Sequence, residues 1–325
     1  MKNKRILTSD LIINLIVLYF IIIGIFCIAG TFKTIYHPVP IVLGGLVLWS
    51  AYIFYLRDAE LKEKKSIGLT IIKTIIKYKF LMKQLIQRDF KKKYKRSILG
   101  IIWSFLNPMS MMVVQYIVFS TIFKSDIENF PVYLLSGTIF FNFFTEAVGE
   151  GLNAIVGNAS LLTKVYVPKY IYPITKVFST SINLLISIMP LLVVMIITRQ
   201  SLTRALFLFP FIIVVLLTFT IGITLILSSA MVFFRDTLFL WGILSMVWMY
   251  ITPLFYPETI IAERFQIILK INPMYHIIKF VRCIVMNGIS PLPEEYGICM
   301  LSAIISLLLG IFIFKKTQDK FVLYI

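Results

Sequence analysis

The sequence predicts an all-α integral membrane protein, and two observations lead to this fold class. Hydrophobic residues make up 59% of the 325 residues, whereas charged residues make up only 14%. Several apolar stretches also reach the roughly 20 residues that an α-helix needs to cross a bilayer. The two histidines and three isolated cysteines indicate neither a metal centre nor a disulfide framework.

The first predicted element, residues 1–60, is a hairpin of two transmembrane helices. Its apolar runs cover residues 11–30 and 40–56 and are joined by a short link. Basic residues before the first run also fit a secretory signal. The run is longer than a usual signal core and lacks a small-x-small cleavage site, so it predicts a retained first span.

The second predicted element, residues 61–97, is an amphipathic helix that ends in a basic junction. From residue 69 to residue 90, large apolar side chains recur among lysines at nearly helical spacing, which is typical of a helix lying flat at a membrane surface. The dense basic block from Arg88 to Arg96 then runs directly into the next apolar stretch. Because Lys and Arg beside a span stay on the cytoplasmic side, this junction predicts the orientation of the whole chain.

Residues 98–325 predict six further spans. They lie at residues 98–123, 131–156, 171–198, 205–234, 238–255 and 297–314. Together with the hairpin this gives eight spans, with both termini in the cytoplasm. Most of the 32 Lys and Arg residues then fall on the predicted cytoplasmic side, as the positive-inside rule requires. Topology and lipid contact therefore explain the net charge of +17 without nucleic acid as a partner.

Two segments break the regular pattern of spans. Residues 256–285 are apolar but interrupted by prolines and charges, and they predict short re-entrant helices that dip back from the outer face. Residues 158–176 form a basic, proline-containing link on the predicted cytoplasmic side, where a short helix parallel to the membrane fits. We expect the mechanism to depend on these two segments.

No nucleotide-binding or catalytic motif stands out in the sequence. The chain lacks the Gly-x4-Gly-Lys-Ser/Thr loop that cradles the phosphates of ATP, and it shows no Ser-His-Asp or paired-carboxylate arrangement. Glu146 and Glu150 lie one helical turn apart near the inner end of their span, a depth that favours ion pairing over proton-relay chemistry. We therefore expect no catalytic residue, no bound metal and no cofactor in this chain.

Four sequence blocks occur in an order that resembles a known family. They are RDFKKKYKRSILGIIWSFLNP at residues 88–108, LLTKVYVPKYIYP at 161–173, FFRDTLFLW at 233–241 with TPLFYP at 252–257, and NPMYHIIKFVR at 272–282. The blocks resemble the ABC type-2 transporter permeases, in the branch that exports teichoic acids, O-antigens and other lipid-linked polysaccharides. The resemblance implies a six-span half-transporter that dimerises and pairs with two copies of a separate ATPase. The N-terminal hairpin lies outside this pattern.

The resemblance also implies roles for residues on the predicted cytoplasmic side. Residues 161–170 are similar to the family's coupling helix, which would transmit the closure of the ATPase to the spans. Its candidate contact residues are Leu162, Lys164, Tyr166, Pro168 and Lys169. Arg235 and Asp236 are similar to the family's Arg-Asp pair at the inner end of a span, where an ion pair would latch a gate. The inner-gate candidates are Arg235, Asp236, Glu146 and Glu150. An ordinary basic loop and a topological anchor remain the alternatives for these two sites.

Three further groups of residues are candidate contacts for a lipid-linked glycan. Cations at the headgroup level suit phosphate oxygens, although the same charges are expected for orientation alone. The phosphate candidates are Arg88, Lys91, Lys92, Lys93 and Arg96. The outer-gate candidates are Pro257, Asn272, Pro273 and Arg282. The candidates for stacking on sliding sugars, with lipid or helix packing as the alternative, are Phe140, Phe144, Trp241 and Trp248.

These features predict the transmembrane permease subunit of an ATP-driven exporter for a lipid-linked cell-surface polysaccharide, in the bacterial cytoplasmic membrane. The expected partners are a second copy of the chain, two ATPase subunits that bind ATP and magnesium, a polyprenyl-linked glycan and membrane lipids. An ABC exporter of a drug, lipid or peptide is the alternative within the same class. A polyprenyl-phosphate-dependent membrane transferase is the alternative from another class, and it would need a catalytic motif that the chain lacks.

Overall fold

The computed structural model of the protein describes residues 9–29, 31, 38–62, 67–95, 97–122, 127–164 and 167–324. These residues form helices and connecting turns without a strand, which confirms the all-α class. The helices, in chain order, are α1 (Ser9–Ile28), α2 (Pro38–Leu61), α3 (Ile67–Tyr94), α4 (Trp103–Ile117), α5 (Phe130–Leu152), α6 (Ala159–Lys164), α7 (Ile171–Ile197), α8 (Phe209–Phe233), α9 (Thr237–Ile251), α10 (Gln266–Ile271), α11 (Pro273–Arg282), α12 (Pro293–Thr317) and α13 (Phe321–Tyr324).

The chain divides into two compact units, Met1–Gln84 and Leu85–Ile325. In the first unit, α1 and α2 contact each other and correspond to the two helices predicted for the N-terminal hairpin. The second helix continues to Leu61, beyond the predicted end at residue 56. The predicted division into three segments, and the place of this hairpin in the membrane, stay predictions.

Among the described residues, five helical segments are long and apolar enough to cross a membrane, and each overlaps a predicted span. They are Gly100–Ser120, Phe130–Leu152, Ile171–Ile197, Arg204–Phe233 and Pro293–Tyr324. Two of these helices contain an internal proline, at Pro108 and Pro190, yet remain continuous. A multi-pass membrane protein is therefore confirmed, while the count of eight spans remains a prediction.

The span predicted at residues 238–255 is shorter in the structure. Its helix, α9, ends at Ile251 after 15 residues, which corresponds to about 22 Å at 1.5 Å per residue, less than the roughly 30 Å of a bilayer core. The helix ends there because Thr252 takes an extended conformation, as expected of a residue that precedes proline. The chain then turns into the next segment instead of crossing further.

The predicted amphipathic helix is longer than its prediction of residues 69–90. It is the single 28-residue helix α3, which absorbs part of the basic block. Lys91, Lys92 and Lys93 lie in its last turn, where positive charge is favourable because the helix dipole is negative at its C-terminus. The basic junction is therefore a helical element with defined side-chain directions.

The core of the second unit is built around α5, which packs against α7 and α8, while α8 packs along α12. At the crossing of α8 and α12 the backbones nearly touch, because a Cβ on Gly222 would overlap the backbone of Ser306, and one on Gly310 would overlap Gly222. Ser306 Oγ also donates a hydrogen bond to the carbonyl of Phe219 at 2.9 Å. Small residues spaced four apart are what close packing of membrane helices requires.

Two short helices, α10 and α11, lie between α9 and α12. The second of them packs against α5, α8 and α12 and continues as a wider turn over Cys283–Asn287. Asn272 caps this helix by accepting a hydrogen bond from the backbone N–H of Met274 at 3.0 Å, and Pro273 occupies the first helical position. Of the two predicted short helices, the one over residues 270–284 is present as α11, whereas residues 251–260 form no separate helix beyond the turn Glu258–Ile260. The re-entrant placement stays a prediction, and we call this part of the second unit the hairpin end.

Candidate functional site

A charged cluster lies where α3 and α5 end and α7 begins, and we call this the basic end. At its centre, Asp89 has only 7% of its side chain exposed. Its carboxylate lies 2.8 Å from Arg88 Nη2 and 3.3 Å from Lys176 Nζ. The same Lys176 Nζ lies 3.3 Å from Glu150 Oε2. One lysine of α7 therefore links the carboxylates of α3 and α5.

The inner-gate candidates fall into two pairs with different surroundings. Glu146 pairs with Lys93 at 2.5 Å, with both side chains partly exposed, and Glu150 pairs with Lys176. Both glutamates thus form ion pairs, as expected. The sequence did not predict which lysines would be their partners. By contrast, Arg235 and Asp236 are exposed, and neither has an ion pair within the described residues. The gate function of all four stays a prediction.

Two neighbouring cavities with shared lining residues lie at the basic end, and we call them together the basic cleft. Their volumes are about 280 and 380 Å³. The residues lining both are Asp89, Lys92, Glu150 and Lys176. Lys92 forms no ion pair with a carboxylate of the described residues, although it borders both cavities. The cleft therefore offers a cation to a ligand that brings negative charge.

A third cavity of about 290 Å³ continues from the basic cleft between α4, α5 and α7, and we call it the polar cavity. The residues it shares with the cleft are Lys93, Glu146, Thr180 and Asn183. At this junction the hydroxyl of Tyr94 donates to Asn183 Oδ1 at 2.6 Å and also contacts Ser104 Oγ. Polar contacts from α3, α4 and α7 thus lie at the boundary between cleft and cavity.

The phosphate candidates are distributed unevenly around the cleft. Arg88, Lys92 and Lys93 line it, and Arg88 Nη2 also donates to Asn158 Oδ1 at 3.2 Å. Lys91 is exposed and borders neither cavity of the cleft, and Arg96 lies outside the described residues. The structure therefore brings three of the five candidates together around one opening.

The coupling candidates lie on α6 and the segment that follows it. The short helix predicted in this link is present as α6, and Leu162 on it is half-buried. Tyr166 and the side chain of Lys164 lie outside the described residues. Pro168 and Lys169 are half-buried, and Lys169 Nζ donates to the carbonyl of Gln318 at 2.6 Å. This contact ties the link to the C-terminal turn, which no pattern in the sequence indicates.

At the hairpin end, Arg282 is the residue around which the proline-broken segment is arranged. Its Nη1 donates to the carbonyl of Pro253 at 2.8 Å and its Nη2 to that of Leu254 at 3.2 Å. The guanidinium carbon lies 3.5 Å from the ring centre of Tyr133 on α5. The hydroxyl of Tyr133 in turn donates to the carbonyl of Tyr256 at 2.7 Å. Burial lowers the pKa of Arg282 to about 10, which still leaves it charged at neutral pH.

The other outer-gate candidates join a second network at the same end. Trp248 Nε1 donates to Asn272 Oδ1 at 2.7 Å, and Asn272 Nδ2 donates to Thr252 Oγ1 at 2.9 Å. Asn272 therefore holds α9 and α11 together, with Pro273 directly after it. Pro257 is half-buried and precedes a turn at Glu258–Ile260. Arg282 and Asn272 thus fix α11 to its neighbours, and the role of all four candidates as a gate stays a prediction.

The aromatic candidates lie mostly inside the protomer. Phe140 and Phe144 are fully buried, with Phe140 stacked on Phe209 at a centroid distance of 6.2 Å. Trp241 is 7% exposed, and Trp248 is half-buried beside Phe144. Phe140 and Phe144 therefore pack between helices, which was the alternative to stacking on sugars. Of the four, Trp248 presents the most surface.

Nothing in the sequence singles out His276, which belongs to a charged cluster with Glu295 and Lys279 at the hairpin end. His276 Nδ1 lies 3.1 Å from Glu295 Oε2, and Lys279 Nζ lies 2.7 Å from Glu295 Oε1. Burial alone lowers the pKa of His276, but hydrogen bonds to Glu295 and to the carbonyl of Lys270 outweigh it and leave the pKa raised. These contacts join α11 to the start of α12.

We expect Lys176→Met to destabilise the protein by about 1–3 kcal/mol, because the buried Asp89 carboxylate loses one of its two cation partners. The matched control is Lys91→Met, the same substitution at an exposed position. The melting temperature of the detergent-purified chain should fall by several degrees for Lys176→Met only. Equal melting temperatures for the two variants would show that the Asp89–Lys176 contact contributes nothing measurable.

The fold and these sites define a class: a multi-pass helical membrane protein with a charged cleft at one end and a proline-broken segment among its helices. Comparison with known proteins places it further. Residues 81–286 match the family described as ABC-2 type transporter, and the chain belongs to this family. The family is one of transport subunits, and it implies association with an ABC ATPase.

Curated relatives match about three quarters of the chain. The chain is 30% identical over 257 residues to the O-antigen export system permease protein RfbA of Myxococcus xanthus, a match covering 78% of this chain and 98% of that protein. It is 29% identical over 237 residues to the protein of the same name from Klebsiella pneumoniae, covering 72% of this chain and 90% of the relative. The family match begins at residue 81, so the N-terminal hairpin lies outside it, as the resemblance implied.

Proposed function

We propose that this chain is the transmembrane subunit of an ATP-driven exporter of a lipid-linked cell-surface polysaccharide. The observation that carries the proposal is the basic cleft, where Arg88, Lys92 and Lys93 surround an opening that continues into a polar cavity between three helices. A phosphate bound to lipid would meet cations at the headgroup level, and its attached sugars would meet polar side chains.

Family membership supports an ATPase partner, and the rest of the assembly is part of the proposal. Two copies of the chain form the path, two ATPase subunits bind ATP and magnesium, and this chain contributes no cofactor of its own. The complex lies in the bacterial cytoplasmic membrane with the basic end and both termini in the cytoplasm. The names of the relatives favour an O-antigen-type glycan over teichoic acid as cargo.

Coupling in this proposal runs through the link that contains α6. The ATPase binds the segment from Leu162 to Lys169, and its closure moves α5 and α7, which flank the link. The contact between Lys169 and Gln318 carries the same movement to the end of α12. Nucleotide binding thereby shifts the spans between two arrangements, because the ATPase binds the link differently in each of its states.

The test reconstitutes the chain with its ATPase in vesicles and measures ATP hydrolysis and transport of a polyprenyl-linked glycan. We expect the glycolipid to stimulate hydrolysis several-fold, and Lys164→Glu combined with Pro168→Gly to abolish transport while hydrolysis persists. Lys270→Glu, a charge reversal at the hairpin end, serves as the control and should transport normally. Stimulation by drugs or peptides instead of the glycolipid would favour the alternative exporter. A transferase activity of the chain alone would contradict the proposal.

A further inference from the structure

The polar cavity has a lining unlike that of the surrounding bundle. Along α4 it extends from Trp103 to Gln115, a distance of about 18 Å at 1.5 Å per residue. Its volume of about 290 Å³ is near the lower limit of about 300 Å³ for small-ligand sites. It therefore reaches well into a candidate membrane span and has room for one small polar group.

Three amide side chains border the cavity without a hydrogen-bond partner in the part of the chain that the structure describes. Asn107 and Asn142 are exposed to it, and Gln115 Oε1 is buried without a partner. Each amide offers both donors and an acceptor. A buried polar atom with no partner costs free energy, so a ligand that pairs with Gln115 would gain from it.

The chemistry of the lining selects among ligands. An anion is disfavoured inside the cavity, because the amides bring no charge and Lys93, the cation in the lining, lies where the cavity meets the cleft. A purely apolar chain is disfavoured, because it would leave all three amides unpaired. Sugar hydroxyls both donate and accept, as amides do, and the rings of Tyr94 and Trp103 supply apolar faces at the edge of the cavity.

We propose that the polar cavity binds one sugar residue of a lipid-linked glycan while the attached phosphate occupies the basic cleft. The inference rests on the proposed function and adds a sugar site within each protomer, between α4, α5 and α7. Because the cleft and cavity share Lys93 and Glu146, the sugar and phosphate sites are adjacent. The ligand is recognised at the junction of its carbohydrate and its lipid phosphate.

The experiment measures protection of a thiol in the cavity. Asn142→Cys is introduced after replacement of the native cysteines, and the complete complex with its ATPase is held in nanodiscs with a water-soluble thiol reagent. The probes are polyprenyl diphosphate carrying one N-acetylglucosamine, polyprenyl diphosphate alone, and free N-acetylglucosamine. We expect only the sugar-bearing lipid to slow labelling at position 142, by about fivefold or more. Lys91→Cys, outside the cavity, should label equally under all conditions.

A second variant tests the hydrogen bonds directly. Gln115→Leu should raise the half-maximal concentration of the sugar-bearing lipid for stimulating ATP hydrolysis by about tenfold, the value of one good hydrogen bond. Val114→Leu, at an exposed neighbouring position, should leave it unchanged. If Gln115→Leu fails to assemble, the labelling at position 142 decides alone, since Asn142 is exposed and tolerates substitution.

The outcomes separate the two proposals. If the sugar-bearing lipid stimulates hydrolysis but protects position 142 no better than the sugar-free lipid, the sugar site is wrong and the exporter proposal stands. Protection by free sugar as well would overturn the requirement for the lipid phosphate. If no polyprenyl lipid stimulates hydrolysis by the unmodified complex, the exporter proposal fails, and the sugar site fails with it.

Discussion

Arg282→Ala is expected to abolish export while the chain still assembles with its ATPase. The substitution removes two hydrogen bonds to the carbonyls of Pro253 and Leu254, together with the cation above the ring of Tyr133. The buried carbonyl of Leu254 is left without a donor, at a cost of about 1–3 kcal/mol, whereas that of Pro253 keeps the Tyr133 hydroxyl at 3.2 Å. The segment from Thr252 to Pro257 then keeps the hydrogen bonds from Tyr133 of α5 but loses those from α11. It is therefore held less firmly between the two helices.

Two comparison variants make this expectation specific. Arg264→Ala removes an exposed arginine from the same hairpin and should transport normally. Arg282→Lys should not restore export, because one ammonium group cannot donate to both carbonyls and stack on the ring as a guanidinium does. Transport in vesicles and co-purification of the ATPase are measured side by side. Loss of the ATPase from the Arg282→Ala complex would assign the arginine to folding of the whole subunit.

The sequence was sufficient for features that depend on one stretch of chain. The apolar runs predicted the long helices, and the proline at the start of α11 predicted that short helix. The same rule, applied to Pro253, would have ended α9 at Ile251. The span was nevertheless predicted to continue to Phe255, because the apolar run does and hydropathy alone does not show where a helix ends.

Features that join distant stretches could not be predicted. Glu146 and Lys93 are 53 residues apart. Nothing in the sequence around either residue indicates that these two, and not other acidic and basic residues, form an ion pair. The acceptors of Arg282 are backbone carbonyls, which carry no signal in the side-chain sequence. The sequence also could not predict which way the ring of Phe140 points. Helix α5 is apolar on most sides, so its packing against α8 decides which rings are buried.

Gly222→Leu is expected to prevent the chain from folding. At this position a Cβ would already overlap the backbone of Ser306, and Gly310 lies one turn further along the same contact. A flexible side chain can move away from an added methyl group, but a helix backbone cannot. The destabilisation should therefore exceed the roughly 1–3 kcal/mol typical of an overpacked core.

The matched control is Gly242→Leu on α9, where an added Cβ meets no atom within 4 Å. Both variants exchange a helical glycine for leucine, so differences in helix propensity cancel between them. Size-exclusion chromatography of the detergent-extracted chain should show a monodisperse peak for Gly242→Leu and at least a tenfold smaller one for Gly222→Leu, since about 1–2 kcal/mol already changes the folded ratio 5- to 30-fold. Equal peaks would mean that α8 and α12 separate easily, and that their close crossing does not hold the bundle together.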